Sequence, residues 1–150
     1  MSLQHTIRDT LKTSVGLVAA FTGGIIAYDD MDGYGLTRTS YPAAFSTTSP
    51  VIKPLILVRE RFKVTTGNVI DEEENARSFT QAVEIWFYND RKAGYTVINA
   101  AETTARGLLN YSTLGGCRLE RREVRVYDRD PDLEHACVVL AIYDARGVET

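Results

Sequence analysis

The sequence predicts an α+β domain: a mainly antiparallel β-sheet with two helices packed on one face, a long β-hairpin and extended loops. Three observations predict it. Two segments carry apolar residues at helical spacing, several others alternate with a period of two, and the later strand segments fall in pairs joined by turn-forming residues. With 150 residues, 44% apolar and 25% charged, the chain has the profile of one globular domain over residues 1–150. A domain of that size buries roughly 68 to 70% of its unfolded surface, so neither metal nor disulfide is needed to hold it.

From Leu3 to Val18, the residues Leu3, Ile7, Leu11, Val15 and Val18 recur every four or three positions, which predicts one amphipathic helix with Ser2 as its N-cap. Gly23-Gly24 ends it. Ile25 to Tyr28 reads as a short strand leading into the acidic turn Asp29 to Gly33. The following stretch to Pro54 is rich in Ser, Thr, Gly, Tyr and Pro without a period, and so long a connection points to a functional or partner-dependent segment. Leu55 to Val64 and Phe79 to Tyr88 read as strands, with Phe79, Val83, Ile85 and Phe87 on one face of the second. Between them the polar stretch Thr65 to Ser78, containing Asp71-Glu72-Glu73-Glu74, is expected to form a long hairpin whose tip is solvated or touches a neighbour. A second helix is expected from Tyr95 to Asn110. Gly115-Gly116 then opens a last pair of strands, Cys117 to Tyr127 and His135 to Tyr143, joined by a turn at Asp128 to Asp132. Helices on one face of this sheet make a sandwich of two layers.

Composition excludes several functions. The formal net charge is -3, which argues against a broad nucleic-acid-binding face, because phosphate affinity needs concentrated positive charge. The uncharged stretch Thr13 to Tyr28 is too short and too polar to span a bilayer, and Met1 to Lys12 does not read as a secretory signal. Cys117 and Cys137, twenty apart and outside any CxxC pair, read as small buried hydrophobes. No nucleophile elbow, phosphate loop, dinucleotide fingerprint or zinc-protease motif is present, and His5 and His135 have no Cys or Asp at ligand spacing. Asp30-Met31-Asp32-Gly33 opens like a calcium loop, but no closing glutamate follows, and Thr37 to Ser46 is neutral apart from Arg38. The reading is non-enzymatic, with no catalytic residue, metal or cofactor.

One segment stands out. Arg118-Leu119-Glu120-Arg121-Arg122-Glu123-Val124-Arg125 puts charge on both faces of a strand, and Arg59-Glu60-Arg61 repeats the pattern at the end of another. Mixed-sign charge of this kind suits complementary contact between copies of a protein, just as it suits solvated strand ends whose ion pairs are worth little. Together with Glu72, Glu73 and Glu74, these residues (Arg59, Glu60, Arg61, Arg118, Glu120, Arg121, Arg122, Glu123 and Arg125) are the candidate subunit or tube interface.

The layout resembles the tail terminator proteins of long-tailed bacteriophages. The resemblance rests on the N-terminal amphipathic helix, the Ser40-Tyr41-Pro42 loop, Pro54 followed by Leu55-Ile56-Leu57-Val58, the long hairpin, the second helix and a closing hairpin ending in Val138 to Tyr143. It implies a ring-forming structural protein, six copies in the family, which caps the tail tube, ends its polymerisation and meets a head-side connector. It also implies location in the virion neck, assembly in the host cytoplasm, no membrane, and DNA passing through the lumen without specific binding. Two other readings stay open: another neck, head-completion or tube-like virion protein, and a small ligand-binding domain with Tyr34, Tyr41 and Phe45 as a lid.

Overall fold

The fold comes from a computed structural model that describes residues 2–31, 36–39, 41–48, 51–71, 76–127 and 136–149. Ser2 caps the first helix, α1 (Leu3–Lys12), by accepting a hydrogen bond from the His5 amide. The single helix expected through Val18 is in fact two. Ser14 takes an extended conformation and uses its hydroxyl to cap α2 (Val15–Ala20), accepting from Leu17 N at 3.3 Å. The break rotates the buried stripe: Ile7 and Leu11 are buried as expected, but Val15 is 83% and Val18 50% exposed, and Leu17 and Phe21 go inside instead.

Strand β1 (Gly24–Ala27) lies parallel to β2 (Leu55–Asp71), so the sheet is mixed although mainly antiparallel. This register brings Gly23 against the Pro54 carbonyl, its amide donating at 2.8 Å, and a Cβ there would sit 2.8 Å from that oxygen. β2 pairs antiparallel with β3 (Ala76–Asp90), and both strands run well past the expected ends at Val64 and Phe79. The expected long hairpin is therefore paired strand as far as Asp71 and Ala76. Its β-branched content, Thr65, Thr66, Val69 and Ile70, favours extended backbone, and register shifts around Gly67 absorb the irregularity. Glu72, Glu73 and Glu74 lie outside the described residues.

Helix α3 (Thr96–Leu109) falls where the spacing placed it. Beyond it β4 (Thr113–Leu114) pairs with β5 (Cys117–Tyr127) around Gly115-Gly116, whose φ values of 57° and 78° are those of a two-residue hairpin turn that needs glycine. β6 (Ala136–Glu149) continues six residues beyond the expected end at Tyr143. There Ala145 is buried, and Gly147 leaves room for the Phe79 ring, which a Cβ would approach to 2.8 Å. The six strands among the described residues run in the order β1-β2-β3-β6-β5-β4, with β3 and β6 at the centre.

The three helices cover one face. Ile7, Leu11, Leu17, Phe21, Ile98, Ala101, Ala105 and Leu109 meet Ile56, Val58, Ile85, Phe87, Val139, Ala141 and Tyr143 in the larger core. A second, smaller core adds to the expected two layers. Met31, Leu36, Ala44, Phe45 and Ile52 fold over the opposite face at Leu55, Leu57, Tyr88 and Val138. Phe45, expected as a pocket lid in one reading, is 5% exposed and anchors this layer; Tyr41 packs partly buried beside it, and Tyr34 lies outside the described residues.

Candidate functional site

Beyond the small core, the face of the sheet away from the helices carries the charge. In register across β2, β3, β6 and β5 lie Leu57, Trp86, Leu140 and Arg125, then Arg59, Glu84, Ile142 and Glu123. Arg59 stacks on the Tyr28 ring at 4.2 Å, and Arg61 Nε meets Glu84 Oε1 at 2.8 Å. The same Oε1 accepts from Trp86 Nε1 at 3.2 Å. Arg122 pairs with Asp144 at 3.5 Å, Arg146 approaches Glu120 at 3.9 Å, and Arg118 lies 5.6 Å above the Tyr111 ring. Arg125 grips Glu123 with two bonds, 3.0 and 3.1 Å, which lowers the carboxyl below its usual range and raises the guanidinium. Arg59, Arg61, Arg118, Arg122, Arg125 and Arg146 thus face Glu84, Glu120, Glu123 and Asp144, so this surface is net basic on a chain of net charge -3.

Not all the candidate residues join it. Glu60 points to the helix side, where Gln4 and Gln81 donate to its two oxygens at 3.3 and 3.2 Å. Arg121 also faces inward, continuing the alternation of Cys117 and Leu119; a bulge at Arg122 then reverses it, so Val124 faces the helices while Glu123 and Arg125 face out. Arg121 Nε stands 2.9 Å from Oε1 of Glu102 on α3, a carboxylate only 7% exposed, without hydrogen-bonding alignment between those two atoms. Sequence reasoning missed Glu102. It sits on the buried stripe of α3, beside Ala101 and Ala105, where a charge requires a partner.

Tyr143, 1% exposed, completes this buried group, and its hydroxyl has no hydrogen-bond partner among the described residues. Burial, reinforced by the Glu102 carboxylate, raises the phenol above its ordinary range. The folded protein therefore keeps this proton to higher pH than the unfolded chain does. Above about pH 10 the unfolded chain binds fewer protons, so stability falls as pH rises, by up to ~1.4 kcal/mol per pH unit. Tyr143→Phe is expected to flatten that alkaline slope in urea melts while leaving neutral-pH stability unchanged or slightly higher, since no bond is lost. An unaltered slope would refute this assignment.

Cys117 and Cys137 are free and buried, and burial pushes both thiols up. His5 Nε2 meets Asp30 Oδ1 at 2.9 Å, and Arg8 bonds the other oxygen of that carboxylate; His135, Asp32 and Gly33 lie outside the described residues. Among the described residues no group of three or more His, Cys, Asp or Glu side chains is placed to hold a metal ion, and no helix is long and apolar enough to cross a membrane.

No protein-family model matches the sequence, and no curated protein matches it either. The fold does have solved counterparts. One is a chain from the virion of a native gene transfer agent particle, which superposes with a TM-score of 0.61 over 99% of this chain and 96% of that one at 16% identity. At that identity the likeness is one of fold.

Proposed function

We propose that this chain is a structural virion subunit that closes into a ring on the end of a tail tube, stops its growth and offers the head-side connector a surface. The observation that carries the reading is the likeness, end to end, to a chain of a gene transfer agent virion. Sequence layout points the same way, through the terminator-like order of helix, long hairpin, helix and closing hairpin. Two stretches of strand edge support assembly. β1 covers β2 only from Leu55 to Val58, and no described strand borders β5 from Arg122 to Tyr127. Such edges invite pairing, and in a ring one flank of each subunit meets a different flank of the next until rotation closes.

The expected partners are five further copies in a hexamer, the tail tube protein and the connector, in the neck of a virion assembled in the host cytoplasm. DNA would cross the lumen without specific binding. The assembly surface is assigned to Arg59, Arg61, Arg118, Glu120, Arg122, Glu123 and Arg125, with Arg121 and Glu60 serving inside the subunit. Native mass spectrometry of the purified protein, with and without tube protein, tests the reading: rings and shortened tubes are expected. Arg122→Ala with Arg125→Ala should weaken ring or tube contact while thermal melting stays near that of the parent. A chain that elongates into tubes by itself is a tube subunit instead, and one that stays monomeric beside tube protein is no terminator.

A further inference from the structure

Two arginines stand directly opposite each other where β5 and β6 pair, Arg118 against Arg146. Like charges in that relation repel and weaken a sheet. Both side chains are exposed on the face away from the helices, since their neighbours Cys117, Leu119 and Ala145 are buried on the other side. Little offsets them locally. Arg146 meets Glu120 only at 3.9 Å, and Arg118 has no carboxylate within ion-pair distance among the described residues. Arg118 instead packs over the Tyr111 ring, which steadies its planar fork. Two guanidiniums held side by side form a seat for an incoming carboxylate, which each can grip with two parallel hydrogen bonds.

The mixed signs around this pair, with Glu120, Arg122 and Asp144 as neighbours, suit a protein partner rather than a polyanion. A second copy carries the complement. Asp9, Asp29 and Asp30 are all exposed; Asp9 and Asp30 already hold Arg8, whereas Asp29 has no ion pair among the described residues. Its backbone is fixed, because the Asp29 amide donates at 2.9 Å to Oε1 of Gln4, a side chain only 2% exposed. Position matters as much as sign. Asp29 lies in the short 3₁₀ turn Tyr28–Asp30 that directly follows β1, at one border of the strand order, while Arg118 lies near the other, on β5 beside β4. We infer that in the ring the Arg118 and Arg146 pair of one subunit receives Asp29 of the next. The inference rests on the ring reading and adds which flank meets which: two different surfaces at opposite ends of one sheet, as a closing heterologous contact requires.

Charge reversal tests it on the intact protein. Arg118→Glu with Arg146→Glu and, separately, Asp29→Lys are each expected to raise the concentration at which rings form by about tenfold or more, because like charges then face each other across the contact. Combining them should restore assembly. Arg118→Lys keeps the charge and offers an amine, which carbodiimide should couple to Asp29 of another copy in the assembled ring. All three positions are exposed, so circular dichroism should be unchanged in every variant. Rings that ignore either reversal, reversals that do not rescue each other, or an amine that couples to tube protein would overturn the assignment while leaving the ring reading intact. Reversals that weaken binding to duplex DNA but leave ring formation unchanged would overturn it too, and make the pair a phosphate contact. A parent protein that forms no ring overturns the functional reading itself.

Discussion

Glu102→Ala is expected to cost roughly 3 kcal/mol of folding stability, read as a lower urea midpoint at unchanged slope. The carboxylate is 7% exposed on the buried stripe of α3, and the Arg121 guanidinium, with 27% of its side chain exposed, depends on it. Removing the acid leaves a largely desolvated cation opposite Tyr143, whose hydroxyl is itself without a partner among the described residues. The partial exposure of Arg121 lets water reach one side, which keeps the cost at the low end of the range for a broken buried pair. Glu102→Leu combined with Arg121→Met should lose far less, because no charge then stays behind. A single substitution as mild as the double one would mean that the pair is merely solvated.

Phe87→Ala is expected to be the more damaging change, at about 3–5 kcal/mol. Phe87 is fully buried on β3, flanked in register by Ile56 on β2 and Val139 on β6. Its ring meets Phe21 edge to face at 6.4 Å and 66°, so one side chain joins the central strands to the segment after α2. Stability of single domains lies near 5–15 kcal/mol, so the alanine variant should have little left. Phe87→Leu keeps most of the volume and should retain a cooperative transition. An alanine variant that melts like the parent would show that the helix layer is not fastened there.

The helical and strand periods in the sequence were enough for α3, for the cores of β2 and β3, and for the α+β class, because those segments bury one clean face. The break at Ser14 was harder to see. A hydroxyl that caps a new helix looks the same in sequence as one tolerated within a longer one, and the stripe Val15 and Val18 continued on paper. The reversal that follows Arg121 did leave a trace: Leu119 and Val124, both apolar, stand five apart, which strict alternation forbids and one bulge permits. Glu102 was legible as an acid on an apolar stripe, but its partner comes from a strand nineteen positions on, and no local pattern links the two. The layer formed by Met31, Leu36, Ala44, Phe45 and Ile52 follows no period at all, since its contacts come from loop aromatics and aliphatics laid across the sheet.

The order of the strands also fixes when the molecule can finish folding. β6, last in chain order among the described strands, inserts between β3 and β5, with pairs as distant in sequence as Arg77 and Glu149. Until residues 136–149 leave the ribosome, both neighbours keep an open side, and the nascent chain holds a half-built sheet that is prone to stick to others like it. Closure through such remote pairings is slow, on the order of milliseconds to seconds. Emergence of residues 136–149 therefore sets when the sheet can close, and copies made together on one messenger pass through their stickiest stage side by side.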